Sequence, residues 1–286
     1  MSDFLQAMAQ HSHERVLEAL RNESEAALQE RAEAVEPPPT LAEAASRPAS
    51  AAFDLIAEVK LRSPAAGRLA DNHDAAAALP ARALSYAAGG AAAVSVLTEP
   101  SRFDGSLQHL ADVAAALKPA GVPAMRKDFL VSPYQLLEAR AAGAGGVLLI
   151  AAMLDDAVLA ELLALARSLG LFVLLEAFDA EELTRCGRLL DSASHGTVLV
   201  GLNSRDLRTL EVDAGRFAAL KDGFPGGVVR VAESGVGDAA DAAEVATMGY
   251  HCALVGSALM TSNDPQQTVQ QMLHAGREAA ALRGAT

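Results

Sequence analysis

An α/β chain closing into a (β/α)8 TIM barrel, with an N-terminal helical extension, is the fold that three observations in the sequence predict. Eight short apolar runs follow about residue 50, their starts roughly 25 to 35 residues apart, the length of a βα unit. The runs are nearly continuously apolar, as strands covered on both faces must be, whereas strands with one wet face would alternate. Ala- and Leu-rich stretches of helical period separate them, several ending in Gly, which stops a helix.

In chain order the strands are DLIAEVK (54–60), AAAVSVLT (91–98), VPAMR (122–126), GVLLI (146–150), LFVLLEA (171–177), TVLVGLN (197–203), VVRVAE (228–233) and CALVG (252–256). Helices between them include SPYQLLEARAAGA (132–144), DDAVLAELLALARSLG (155–170) and DAADAAEVATMG (238–249). The pairs Asp155–Asp156 and Glu181–Glu182 fall at helix starts, where carboxylates offset the dipole. The competing fold, an open doubly wound sheet, usually has fewer strands and often a G-x-G-x-x-G fingerprint in its first turn. That turn here reads KLRSPAAG (60–67) and lacks it. Residues 1–50 stand apart: a charged helical stretch from about His13 to Ala34, the breaker EPPPT (36–40), then an Ala-rich run. Too short for a core of its own, this segment should pack on the barrel of residues 51–286 within one structural domain.

The 286 residues are 51% hydrophobic and 21% charged, enough for a full core and unlike a disordered chain. Lys and Arg number 23 against 36 Asp and Glu, a net charge of −13, which argues against a nucleic-acid groove or an anionic membrane surface. A small anionic substrate remains compatible, because only the local field acts on it. Two cysteines, Cys186 and Cys252, are too few for a disulfide framework or a structural zinc site. The N-terminus lacks the basic start and apolar run of a signal peptide, and no stretch reaches the roughly 18 apolar residues of a membrane span, so a cytoplasmic chain is expected. The seven histidines are scattered without metal-site spacing, and no metal or cofactor is expected.

Barrel enzymes carry their chemistry at the C-terminal ends of the strands, where eight loops share one mouth. Polar residues collect there: Glu58 and Lys60 end the first strand, Arg126, Lys127 and Asp128 follow the third, and Glu176 ends the fifth. Asn203 and Arg205 follow the sixth, Glu233 and Ser234 the seventh, Gly256 and Ser257 the eighth. A single such charge reads as a solvated strand end, but a structural strand has no use for this many ionisable groups inside apolar runs. ESG (233–235) and VGSALM (255–260) put small residues and backbone N–H donors where barrels commonly bind phosphate.

These residues bring a family into view. IAEVKLRSP (56–64), SVLTEPSRFDGSLQHL (95–110), RKDFLVSPYQLLEARAAGA (126–144), GLNSRDLRTLEVD (201–213), VAESGV (231–236) and ALVGSALMTSNDP (253–265) resemble, in order and spacing, indole-3-glycerol-phosphate synthase of tryptophan biosynthesis. The likeness covers about residues 53–265. It implies a cofactor-free carboxy-lyase that turns 1-(2-carboxyphenylamino)-1-deoxyribulose 5-phosphate into indole-3-glycerol phosphate, carbon dioxide and water. By the same resemblance Lys127 is the acid of ring closure and Glu176 the base of dehydration. Lys60 contacts phosphate or carboxylate and assists the dehydration, with Glu58 orienting it. Asn203, Arg205, Glu233 and Ser234 hold substrate groups and complete the polar floor, Ser63, Gly235, Gly256 and Ser257 bind phosphate, and Phe103 and Phe129 contact the aromatic ring. The chain departs from the family pattern at Ala65, Ser204 and Phe178. The alternative is a diverged phosphosugar-binding barrel, either an isomerase or a silent paralogue that partners another tryptophan-pathway protein.

Overall fold

The computed structural model describes residues 3–41, 53–63, 67–68, 76–190, 197–206, 209, 211–213 and 215–284. Eight parallel strands close on themselves: β1 (Asp54–Val59), β4 (Ala93–Leu97), β5 (Ala124–Lys127), β6 (Gly146–Ile150), β7 (Phe172–Ala177), β8 (Val198–Asn203), β9 (Val229–Glu233) and β10 (Cys252–Val255). The remaining two, β2 (Arg62–Ser63) and β3 (Gly67–Arg68), form a small antiparallel pair in the loop after β1. Closure comes from β1, which pairs with β4 on one side and β10 on the other.

Each strand is apolar on both faces because each face meets a different core. Ile56, Met125, Leu148, Phe172, Leu174, Leu199, Val231 and Leu254 fill the barrel interior. Their chain neighbours, among them Leu55, Ala57, Val94, Val147, Val173, Val200 and Ala253, pack outward under the helices. This is the physical content of the continuous apolar runs. Interior space is tight enough to demand glycine at Gly146, where a Cβ would overlap the inward Phe172 ring.

The helices that cover the outside start and stop where the chain's chemistry dictates. Ser106 opens α5 (Leu107–Leu117), Ser132 opens α6 (Pro133–Ala141), and Asp155 opens α7 (Asp156–Ser168), each accepting a hydrogen bond from a backbone N–H of the first turn. At α8 (Ala180–Leu189) the cap is reciprocal: Asp179 accepts from the Glu182 N–H, and Glu182 accepts from the Phe178 N–H. Gly90 ends α3 (Leu79–Gly89) and Gly249 ends α10 (Ala239–Met248), both in the left-handed conformation. The last helix, α12 (Pro265–Gly284), packs against α3, α10 and β1.

The N-terminal segment differs from the helical stretch expected to start near His13. It forms α1 (Asp3–Asn22), then breaks at Ser24, whose side chain caps α2 (Glu25–Ala34). The earlier start follows from Phe4, Leu5 and Met8, spaced to face one way: Leu5 and Met8 are buried on the barrel's interior core, with Phe4 packed beside them. Leu28 and Ala32 of α2 bury against Tyr134 and Leu137 of α6. The Ala-rich run 42–50 lies outside the described residues. Among the described residues no helix is long and apolar enough to cross a membrane.

Candidate active site

A cavity of about 370 Å³ opens at the C-terminal ends of the strands, and the polar strand ends line it. Glu58 and Lys60 reach it from the end of β1, Lys127 from β5, Glu176 from β7, and Asn203 and Arg205 from β8 and the turn beyond. Ser234 and Gly235 after β9, and Gly256 and Ser257 after β10, form its far rim. Phe103, from the one-turn α4 (Pro100–Phe103), and Phe129 add an apolar wall, and α1 contributes Phe4 and Leu5 across the opening. The Phe103 and Phe129 ring centroids are 6.3 Å apart, and Phe4 meets Phe129 edge-on at 5.8 Å.

The floor is a chain of charges. Glu58 bridges two lysines, with Oε1 2.7 Å from Lys60 Nζ and Oε2 3.0 Å from Lys127 Nζ. Burial pushes the Glu58 carboxyl up, but Lys127 and Lys60 together outweigh it and hold the group down at about 2. Burial would strip the proton from Lys127, yet the neighbouring acidic side chains, the Glu58 carboxylate first, overcome this and raise it above the ordinary lysine range. Lys127 is therefore held as a protonated ammonium, its side chain 18% exposed to the cavity. Glu233, expected to hold substrate groups, is buried and does not line the cavity; its Oε2 is 3.8 Å from Lys127 Nζ. Burial, then the neighbouring Glu176 carboxylate, push it well above the usual carboxylate range.

On the opposite arc Asn203 fixes Glu176. Its Nδ2 donates to Glu176 Oε1 at 3.2 Å, while its Oδ1 accepts from the Arg205 N–H at 2.9 Å, so the amide orientation is set from both ends. Ser204 is fully buried, and its hydroxyl donates to the Ser234 carbonyl at 3.1 Å, tying the turn after β8 to the turn after β9. Within that second turn Ser234 and Gly235 both have positive φ, 63° and 79°, an arrangement that suits Gly235 and folds the backbone tightly at the rim. At Gly256 a Cβ would overlap Glu58 Oε1 and crowd Lys60 Nζ. The missing side chain therefore makes room for the ion pair as well as for a ligand. The Ser63 side chain and Ala65 lie outside the described residues.

The sequence puts Arg126 and Asp128 at the mouth beside Lys127, but not the partners that hold them, and only Asp128 lines the cavity. Arg126, though next to Lys127, turns outward and donates to the Gln135 carbonyl at 2.7 Å and to Glu138 at 2.9 Å, as strand alternation requires. Asp128 is buried and ties the loop after β5 to α1: Arg15 Nη2 stands 2.7 Å from its Oδ1, and Thr98 donates to its Oδ2 at 2.8 Å. Ser12 of α1 donates to the Phe129 carbonyl and accepts from Gln135 at 2.7 Å. The contacts that Arg15 and Ser12 make with this loop span more than one hundred residues, so no local pattern announces them.

Known proteins resemble this chain over most of its length. The family model described as indole-3-glycerol phosphate synthase matches residues 5–272. The indole-3-glycerol phosphate synthase of Parafrankia sp. is 47% identical over 260 residues, covering 91% of each chain. That of Mycolicibacterium smegmatis is 44% identical over 249 residues, covering 87% of this chain and 86% of the relative. Among solved structures, tryptophan synthase from M. tuberculosis superposes with a TM-score of 0.57 at 16% identity, covering 79% of this chain and 93% of that one. Thiamine phosphate pyrophosphorylase from Pyrococcus furiosus gives 0.56 at 14%, covering 80% and 98%. At such identities these two structures speak for the barrel fold alone.

Proposed function

This chain belongs to the indole-3-glycerol phosphate synthase family, and we propose that it catalyses closure of the indole ring on 1-(2-carboxyphenylamino)-1-deoxyribulose 5-phosphate, releasing carbon dioxide and water. The observation that carries the reading is Lys127, a protonated ammonium held against Glu58 at the floor of a cavity that also exposes Glu176 fixed by Asn203. An acid and a base on separate arcs of one cavity suit a reaction that needs each at a different step.

In the first step the aryl carbon bearing the carboxylate attacks the ribulose ketone, and Lys127 gives a proton to the oxygen as it becomes a hydroxyl. The C–CO2 bond then breaks, and its electron pair restores the aromatic ring. In the last step Glu176 takes a proton from the methylene beside the nitrogen, and the hydroxyl leaves as water with a proton from Lys60. Glu58 keeps Lys127 charged and, lying between them, holds the two lysines apart. Phe103 and Phe129 flank the aromatic ring, Arg205 meets the carboxylate with its forked donors, and Ser234 with Asn203 meets hydroxyls. Ser63, Gly235, Gly256 and Ser257 receive the phosphate on backbone N–H groups and hydroxyls.

The chain contains no tryptophan, so indole product appears against a dark background. Purified protein mixed with the carboxyphenylamino-deoxyribulose phosphate should develop indole fluorescence, and Lys127→Ala should lower turnover by at least about a hundredfold while still binding substrate. Absence of signal from the unmodified protein, or full activity in Lys127→Ala, would overturn the assignment.

A further inference from the structure

Glu233 is buried to 1% exposure at the end of β9, yet it stands between two groups that do face the cavity. On one side is Lys127 Nζ, 3.8 Å from Glu233 Oε2. On the other is Glu176, two strands away on β7. The strand between them carries Gly201 in register with Glu176, and a Cβ at Gly201 would overlap Glu233 Oε1. Gly201 thus leaves room on the inner face of β8, where the Glu233 carboxyl lies beside Glu176. Neither Glu233 oxygen accepts a hydrogen bond from any donor among the described residues, since Lys127 stands at ion-pair distance only. A buried carboxyl in that position is satisfied when a proton lies between it and the second carboxyl.

We propose that Glu233 is an internal proton-return relay, handing its own proton to Lys127 after each turnover and refilling itself from Glu176. The relay rests on the ring-closing reaction proposed above, and the proton count balances through it. Lys127 loses one proton to the ketone oxygen, and Lys60 loses one to the departing hydroxyl. Glu176 gains one from the methylene, whose C–H electron pair becomes the new double bond. Transfer from Glu233 to Lys127 Nζ, with Glu176 passing its proton to Glu233, restores all three groups at once. Only Lys60 then draws on solvent, which matches the single proton consumed when a carboxylate leaves as carbon dioxide. Burial and the Glu176 carboxylate keep Glu233 well above the usual carboxylate range, so it holds a proton to give. Glu176 is itself only 3% exposed, so its carboxyl has little contact with solvent, and the Glu233 carboxyl beside Gly201 offers it a protein acceptor.

The relay acts between turnovers, and this separates it from a positioning role. Glu233→Gln keeps shape and neutrality but cannot pass a proton. With enzyme in excess, one round should lose much less than steady turnover does, because Lys127 starts charged and needs no refilling. With substrate in excess, turnover should fall by about tenfold or more and recover on adding imidazole buffer as an external proton carrier. An equal fall in both regimes, or no fall in either, overturns the relay. Product formation by the parent separates the two claims: without it the reaction itself fails, and the relay with it. Should Glu233→Gln misfold, infrared spectra of the unmodified protein near neutral pH decide, since a buried protonated carboxyl that shifts in heavy water must be present and its absence overturns the relay.

Discussion

Replacing Glu58 by Gln removes one charge from between two buried ammonium groups while keeping the side chain's size. The Glu58 carboxyl is held at about 2 against an ordinary 4.5, which corresponds to roughly 3 kcal/mol of favourable interaction in the folded state. The site is 3% exposed, so solvent screening takes little from that figure. The sign is fixed by linkage: a depressed carboxyl contributes its full stability above pH 4.5 and loses it as pH falls toward 2. Urea unfolding followed by circular dichroism should therefore show Glu58→Gln less stable than the parent by about 3 kcal/mol near neutrality. The gap should narrow steadily below pH 4.5. The same variant should move the alkaline limb of turnover to lower pH, because Lys127 loses the first of the carboxylates that raise it. A stability gap below about 1 kcal/mol, or one independent of pH, would refute the view that the two lysines hold this carboxylate in place.

Arg15→Ala leaves Asp128 with Arg126 and Thr98 but cuts its tie to α1, and should cost about 2 kcal/mol in denaturant unfolding and lower kcat several-fold with KM little changed; unchanged kcat would free the Lys127 loop from dependence on the extension. In Gly256→Ala the new Cβ displaces the Glu58–Lys60 pair, so kcat should fall on the order of a hundredfold along with a rise in KM, and a change confined to KM would assign Gly256 to ligand contact alone. His251, whose Nδ1 accepts from the Arg230 N–H at 3.1 Å, is held at about 4 by burial and by Arg230 and Arg283. The unfolded chain therefore binds a proton that the folded chain refuses, and stability should fall as pH drops from 6.5 toward 4. His251→Gln should flatten that part of the curve, and an unchanged slope would refute the argument.

What was legible in the sequence was whatever follows a period or a neighbour. Eight apolar runs named the eight barrel strands to within one or two residues, because a strand covered on both faces leaves an unbroken mark. Lys60 and Glu58 were readable as partners, being two positions apart on one strand face and joined at 2.7 Å in the structure. The reach of Glu58 to Lys127 was not, since it crosses the interior between strands adjacent only through β4. Nor did the sequence disclose that Glu233 is buried and does not line the cavity, for that depends on the absence of a side chain at Gly201. The start of α1 was set too late, because the charged stretch after His13 dominated its reading while Phe4, Leu5 and Met8 take their meaning from the mouth they cover.

The seam between β1 and β10 also governs the order in which this chain can mature. Asp54 is made early and its register partner Cys252 nearly two hundred residues later. Until that partner leaves the ribosome, the growing sheet has two bare rims of backbone N–H and C=O groups flanked by valine and leucine, which any other strand can pair with. A message cut short before Leu254 would release an unclosed, adhesive sheet, whereas one read through to α12 buries both rims together. For this molecule, adding the eighth strand and ceasing to be an aggregation template are one event.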